Sequence, residues 1–164
     1  MDVLEALHSR RSIRQYLPDA VDRSALEAIV DAARMAATAR NDQPWEFVVV
    51  TERARLDKLA ELAIHGKFLA QTPAAILVFC KRDAKYCVED GSAATQNILL
   101  AAHALGLGSC WINGSQAVYA REVEEYLGVG EEMRLISINA IGKVKATPAP
   151  IKRSLAEVIH WEKF

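Results

Sequence analysis

The chain lacks most of the features that mark secreted, metal-binding or membrane proteins. Its 164 residues contain only three cysteines, Cys80, Cys87 and Cys110, and none of them forms a CxxC pair. An odd number of cysteines without such a pair argues against a disulfide framework, and a reducing cytoplasm fits this cysteine usage. A tetrahedral zinc site needs more soft ligands at suitable spacing, so we expect no metal. No apolar run reaches the roughly eighteen residues of a membrane span, so no membrane partner is expected.

Neither sign of charge dominates, because 20 Lys and Arg residues are balanced by 21 Asp and Glu residues, which gives a net charge of −1. A nucleic-acid binder would carry a basic excess, so we expect no nucleic-acid partner. The sequence has no GxSxG elbow, no HExxH motif, no Walker loop and no GxGxxG turn opening a helix. These absences argue against the familiar hydrolase, metalloprotease and nucleotide-binding classes, and no catalytic residue is predicted.

A basic cluster near the amino terminus is the most informative feature that is present. Arg10, Arg11 and Arg14 lie within five residues, with Ser12 between them. Guanidinium groups this close repel one another unless an anion lies among them, and a phosphate accepts bidentate hydrogen bonds from them. Taken alone, the cluster is equally consistent with a solvated arginine-rich turn.

Hydrophobic periodicity predicts alternating helices and strands along the whole chain. The predicted helices cover residues 2–9, 22–38, 54–64, 90–105 and 121–127. The predicted strands cover residues 45–51, 74–80, 108–112 and 135–141. Residues 155–161 have helical or extended character. This order indicates one domain over 1–164 with a sheet covered by helices, an α/β-like class in which periodicity leaves a parallel and a mixed sheet both open.

Two segments point to a partner subunit. The stretch 98–105 is apolar almost all round except for His103, so its helix is expected to be central or to lie in a subunit interface. We interpret His103 as a core or interface histidine rather than a catalytic base, and Trp45 and Trp111 as core anchors. The proline-containing tail, 143–164, is unusual for such a domain and is expected to reach over a partner.

Polar residues collect at three further loop positions. Asn41 and Gln43 carry amides that donate and accept hydrogen bonds together, as an amide-rich heterocycle requires, although the same residues could simply cap and turn the chain. An Asn113-Gly114 turn follows a strand, and the pair Lys152-Arg153 lies in the tail.

Together these motifs resemble the nitroreductase family of flavin enzymes. The resemblance rests on four stretches in the family's order, with Ala140-Ile141-Gly142 and Lys152-Arg153 after them. The four stretches are RRSIR at 10–14, ARNDQPWEFVV at 39–49, DG with ATQNILLAA at 90–102, and LGLGSCWI at 105–112. Any one of these motifs is weak, but four in order over nearly the whole chain are specific.

This resemblance implies an α+β fold, with a central mixed or antiparallel sheet flanked by helices and assembled as an intertwined homodimer. Two FMN sites would lie at the interface, each built from both chains. The implied activity is a ping-pong transfer of a hydride from NADH or NADPH through FMN to a small-molecule electron acceptor, such as a nitroaromatic, a quinone or a free flavin. Because the flavin carries the redox chemistry, the protein needs no acid–base pair or nucleophile of its own.

The resemblance also implies roles for the residues of the basic cluster. Arg10 and Ser12 would hold the phosphate and ribityl chain of FMN, and Arg11 would contribute through its backbone and charge. Arg14 would lie near the pyrimidine edge of the isoalloxazine, where a cation favours the reduced flavin.

Further contacts are implied from the loops and from the partner. The partner chain would contribute Thr38, Ala39 and Asn41. Gln43 would support that loop, and a backbone N–H of Asn113 or Gly114 would face flavin N5. Arg153, together with Lys152, would complete the phosphate site.

Two departures from the family pattern motivate alternatives. Little chain separates the strand near Cys80 from the helix near Asp90, so the helical lid over the cleft is reduced. Ala37-Thr38-Ala39 offers fewer hydroxyls than a Pro-Ser-Ser-like stretch. The alternative function is therefore a flavin-binding module without reductase turnover. A specialised flavin chemistry is a third hypothesis, for which the short lid leaves no room.

Overall fold

The computed structural model describes residues 1–164 and contains five α-helices and four strands. The helices are α1 Val3–Ser9, α2 Arg23–Ala33, α3 Arg53–Leu62, α4 Cys87–Ala104 and α5 Ala120–Tyr126. The strands are β1 Trp45–Val50, β2 Ala74–Lys81, β3 Gly108–Asn113 and β4 Met133–Gly142. Single 3-10 turns occur at Ala39–Asn41, Lys67–Gln71 and Leu155–Glu157.

One four-stranded sheet organises the molecule, in the order β1-β2-β4-β3, and every neighbouring pair is antiparallel. The central strand β2 is buried along its whole length except at Lys81. One face of the sheet packs against α2 and α4, and the other packs against α3 and α5. The prediction of an α+β fold with a sheet flanked by helices is confirmed. Periodicity left the strand directions open, and the structure shows that they are antiparallel.

Helix α4 is the longest element and lies directly on the sheet. A Cβ added at Gly91 would stand 2.7 Å from Cγ1 of Ile136 and 2.9 Å from Sγ of Cys80, so only glycine permits this close approach. The helix begins at Cys87, three residues before the predicted start at Asp90, and ends before Gly106, whose φ of +76° is a left-handed conformation that favours glycine.

Two further sequence-based expectations were wrong in detail. Helix α2 ends at Ala33 rather than near Thr38, because the chain turns after Arg34 and Thr38 is already extended. The predicted core residue Trp111 is 38% exposed, because β3 is an edge strand with no further strand beside it. Trp45 is buried as predicted.

The ends of the chain are the least covered parts of the molecule. Every residue from Lys145 to Phe164 is exposed, and only Leu155–Glu157 forms a turn of helix within the predicted 155–161 segment. Helix α1 also exposes its apolar side, with Val3 at 70% and Leu4 at 66%. None of the helices combines the length and the apolar character that crossing a membrane requires.

Candidate cofactor site

The basic cluster is held in place by backbone pairing rather than lying in a loose turn. Ser12 forms a parallel bridge with Ser109 at the start of β3, and the Ile13 N–H donates to the Ser109 carbonyl at 2.8 Å. Four residues later, Tyr16 forms an antiparallel bridge with Val144 beyond the end of β4. The segment therefore follows the edge of the sheet, and the side chains of Ile13 and Tyr16 are buried in the core.

Arg10 carries the clearest sign of a missing partner. Its Nη1 atom is buried and has no hydrogen-bond partner, whereas buried donors in folded proteins are almost always paired. Arg11 instead folds back, and its Nη1 donates to the carbonyls of His8 and Arg10 at 2.7 and 2.8 Å. Arg14 is exposed. The unmet Arg10 donor marks a place where an anion would be stabilised.

A small cavity of about 50 Å³ adjoins this guanidinium. Its polar lining residues are Ser9, Arg10, Arg11, His103, Ser109 and Thr147. No acidic side chain lines it, so its electrostatic character is positive. Sequence reasoning did not assign Ser9, Ser109, Thr147 or His103 to the site. The polar interruption of an apolar helix at His103 was the one available signal.

The pKa values of two buried groups beside the cluster report its charge. Burial raises the pKa of the Cys110 thiol, while the nearby guanidinium groups of Arg14 and Arg10 oppose that rise. Burial likewise raises the pKa of Tyr16, whose hydroxyl donates to the Ile13 carbonyl at 2.6 Å. Both groups are neutral near pH 7, so neither supplies the anion that the arginines lack.

The loop between α2 and β1 has a strained backbone. Arg40, Asn41 and Gln43 have φ values of 55°, 61° and 47°, a region that non-glycine residues seldom adopt. The Gln43 N–H donates to Thr38 Oγ1 at 3.3 Å, and Gln43 Nε2 donates to the Asn41 carbonyl at 3.2 Å. Through these two hydrogen bonds, Gln43 stabilises the 3-10 turn Ala39–Asn41. Such strain concentrates at ligand-binding segments.

The turn after β3 is closely packed. The Asn113 carbonyl accepts a hydrogen bond from the Tyr119 hydroxyl. A Cβ added at Gly114 would lie 2.8 Å from the carbonyl carbon of Ile136, so no larger residue fits without a shift.

The remaining predicted residues are not gathered at the cluster within one chain. Lys152 and Arg153 are exposed and make no hydrogen bond or ion pair. The hydrogen bonds of Thr38, Asn41 and Gln43 stay within their own loop. Within one chain, Arg10 and Arg11 line the cavity together with Thr147 from the start of the tail, whereas the α2–β1 loop, Lys152 and Arg153 do not line it.

Comparison with known proteins identifies the fold family. The family model described as the nitroreductase family matches residues 7–90 and 63–143. The chain belongs to the nitroreductase family. The sequence-based recognition of that family is thereby confirmed.

Individual relatives agree over the full length of this nitroreductase-family chain. A Methanothermobacter thermautotrophicus protein with the provisional name NADH dehydrogenase/NAD(P)H nitroreductase is 35% identical, over 100% of this chain and 88% of its own. An FMN-dependent nitroreductase of Clostridium difficile superposes with a TM-score of 0.92 at 30% identity, covering 98% of this chain and 99% of its own. A provisionally assigned nitroreductase of Desulfovibrio desulfuricans, solved in complex with FMN, gives 0.90 at 34% identity and covers 100% and 98%.

The connection between β2 and α4 is short in this family member. Only five residues, Arg82 to Tyr86, connect Lys81 to Cys87. Arg82 turns inward, where its Nη2 donates to Glu124 Oε2 at 2.9 Å and to the Met133 carbonyl at 2.6 Å. The short connection predicted from the sequence is present. Its arginine, Arg82, makes structural contacts within the fold.

Proposed function

We propose that this chain is an FMN-dependent NAD(P)H oxidoreductase of the nitroreductase type. The observation that carries the proposal is the buried, unpartnered Nη1 of Arg10 in a cavity lined by a second arginine and by hydroxyls, with no carboxylate. A phosphate group of charge near −2 fits that donor set, because it would supply the acceptor that Arg10 lacks and relieve the repulsion within the cluster.

FMN, when bound, supplies the redox group that takes a hydride from NADH or NADPH and passes it to an acceptor in a ping-pong cycle. Arg10 and Ser12 are proposed to hold its phosphate and ribityl chain, with Arg11 adding charge. Arg14, exposed beside them, is proposed to place positive charge at the pyrimidine edge. A backbone N–H of Asn113 or Gly114 is the proposed donor toward N5.

A homodimer is part of the proposal because one chain leaves too much apolar surface uncovered. Ile151 is 98% exposed, Trp161 78% and Phe164 fully exposed, all in the tail 143–164. Several large apolar side chains exposed along one segment are typical of a surface that another protein covers. We propose that the tail lies over a second copy, where Lys152 and Arg153 would complete the phosphate site and where the partner's α2–β1 loop would contact the flavin. The mass by light scattering should equal two chains, and a mass of one chain would contradict the dimer.

The direct test is the flavin itself. The purified protein, or the protein reconstituted with FMN, should show a flavin absorption band that NADH or NADPH bleaches without oxygen. A quinone or a nitroaromatic compound should then restore the band. A titration in which added FMN does not bind would reject the proposal.

The short β2–α4 connection favours a second candidate, a flavin-binding module without reductase turnover. Five residues offer little with which to enclose an acceptor above the flavin. The two candidates differ in one measurement, since the module would bind FMN and yet oxidise neither NADH nor NADPH with any quinone or nitro compound.

A further inference from the structure

A histidine and a serine complete the cavity beside Arg10 and have no role in the proposed function so far. The Ser9 Oγ lies 2.7 Å from Nε2 of His103, a contact that ties the end of α1 to α4. Both side chains line the 50 Å³ cavity that also contains Arg10 and Arg11. His103 is therefore a titratable group within the pocket that the phosphate is proposed to enter.

The hydrogen bonds of Ser9 determine where the imidazole proton lies. The Ser9 hydroxyl donates its one hydrogen to the Glu5 carbonyl at 2.6 Å, because a carbonyl oxygen can only accept. The contact with His103 therefore requires Nε2 to donate to Ser9 Oγ. This contact is available both to the neutral ring with its proton on Nε2 and to the imidazolium, so it does not oppose protonation at Nδ1.

The charges around the ring decide how it responds to a ligand. The charged residues that line the cavity are Arg10 and Arg11, and no acidic residue of α1, β3 or the segment after β4 joins them. A phosphate dianion bound among Arg10, Arg11 and the ring favours a positive charge on the imidazole. The ring is thus placed to change its charge when the pocket fills.

We propose that His103 takes up a proton when the phosphate of FMN occupies this cavity, so that flavin binding is linked to pH through this ring. The inference rests on the proposed FMN site. It adds a positioning residue that responds to the charge of the phosphate rather than to the isoalloxazine. Its consequence is a direction: FMN affinity should fall as the pH rises through the range in which histidines lose their proton.

The phosphate's own titration works in the opposite sense and can be separated. A phosphate monoester loses its second proton near about pH 6, so below that range FMN binding would release protons. At about pH 7.5 and above, the free phosphate is already almost fully a dianion. A net proton uptake measured there must come from the protein.

The experiment counts protons on binding to the full-length, flavin-free protein. FMN is titrated at about pH 7.5 by calorimetry in two buffers of different ionisation enthalpy, and riboflavin, which has no phosphate, is titrated in parallel. Wild-type protein should take up a clear fraction of one proton with FMN and none with riboflavin. Equal proton counts for the two ligands would overturn the inference, and this comparison requires no variant.

Variants then assign the proton to the ring. His103→Gln keeps a donor toward Ser9 but cannot titrate, so its proton uptake should vanish. Its FMN dissociation constant should change less than about twofold between pH 7 and 8.5, against up to about tenfold per pH unit for the wild type. His8→Gln, which alters an exposed histidine outside the cavity lining, should behave as the wild type does. FMN that binds with unchanged proton uptake in His103→Gln rejects this inference alone, whereas absence of FMN binding in the wild type rejects the site itself.

Discussion

Ser12 pairs with Ser109, and this bridge places the arginine cluster against the first residues of β3. This close approach depends on Gly108, the residue before Ser109. A Cβ added at Gly108 would lie 2.8 Å from Cγ1 of Ile13. As a result, Arg10 and Arg11 line one cavity together with His103 of α4. A solvated turn, the plain reading of the cluster, would have no such pairing and would not bury Arg10 Nη1.

Replacing Arg10 should weaken FMN binding strongly. The Arg10→Ala variant loses one charge-assisted contact to the phosphate, worth about 1.5–3 kcal/mol, or roughly 10- to 150-fold in the dissociation constant. Fluorescence titration of flavin-free protein with FMN measures this change. Arg23→Ala is the matched control, because Arg23 is an exposed arginine paired with Glu27 on α2, and its affinity should equal that of the wild type. An unchanged affinity in Arg10→Ala would remove this residue from the site.

Adding a methyl group at Gly108 should separate the cluster from β3. The new Cβ would meet Ile13 at 2.8 Å and Cγ2 of Val144 at 2.9 Å, so the segment must shift. We expect Gly108→Ala to lower the free energy of unfolding by about 1–3 kcal/mol, the usual cost of overpacking, and to weaken FMN binding as well. Urea unfolding and FMN titration measure the two effects. If stability falls while FMN affinity stays at the wild-type value, the bridge does not position the cofactor site.

The sequence predicted the sheet well because its strands are short apolar runs bounded by turn residues. Strand β2 was predicted within one residue of its observed end, and β1 and β3 likewise. The order in which the strands pair in the sheet was not predictable, because hydrophobic periodicity shows which face of a strand is buried but not which strand lies next to it. Trp111 shows the consequence: an aromatic residue in a strand suggests core, but an edge position leaves it 38% exposed.

The site was predictable only in part, for a related physical reason. Motif order indicated the cluster, and the structure shows Arg10, Arg11 and Ser12 held together. The left-handed conformations at Arg40 and Gln43 leave no signal in composition, because neither residue type favours that region, whereas asparagine, as at Asn41, does. The Ser9–His103 contact joins residues 94 positions apart, which no local pattern could reveal.

The buried carboxylate of Glu124 should be a main support of α5 on the sheet. Its Oε1 accepts the Leu135 N–H at 2.8 Å and its Oε2 accepts Arg82 at 2.9 Å, and the side chain is only 3% exposed. Glu124→Ala leaves a buried donor unpaired and should lower the free energy of unfolding by about 2–4 kcal/mol. Glu125→Ala, at the exposed neighbouring position paired with Arg121, should cost less than about 1 kcal/mol. Equal losses in urea unfolding would show that Glu124 contributes no more than a surface ion pair.

The tail should contribute to FMN binding through Arg153. This residue makes no ion pair within its own chain, so its charge is available to a phosphate at the proposed interface. We expect Arg153→Ala to raise the FMN dissociation constant about tenfold or more, as loss of a charge-assisted hydrogen bond would. Lys163→Ala removes a cation ten residues further along the same exposed tail and should leave the affinity unchanged. Equal effects of the two variants would indicate general charge attraction rather than a contact.

Alkaline pH should destabilise the fold through Cys80. Burial raises the pKa of this thiol to about 12, with Cys87 and Asp90 adding to the rise, whereas the pKa of an unfolded cysteine is about 8.5. The folded thiol therefore keeps its proton where the unfolded one loses it, so this contribution is fully present below about pH 8.5 and is lost as the pH rises toward 12. Within that window, the free energy of unfolding should fall by up to about 1.4 kcal/mol per pH unit on account of this group. Urea unfolding of Cys80→Ala under reducing conditions should give a shallower pH slope than the wild type, whatever its absolute stability. Burial also raises the pKa of Cys110, so part of the slope should remain, but identical slopes in the two proteins would contradict the assignment to Cys80.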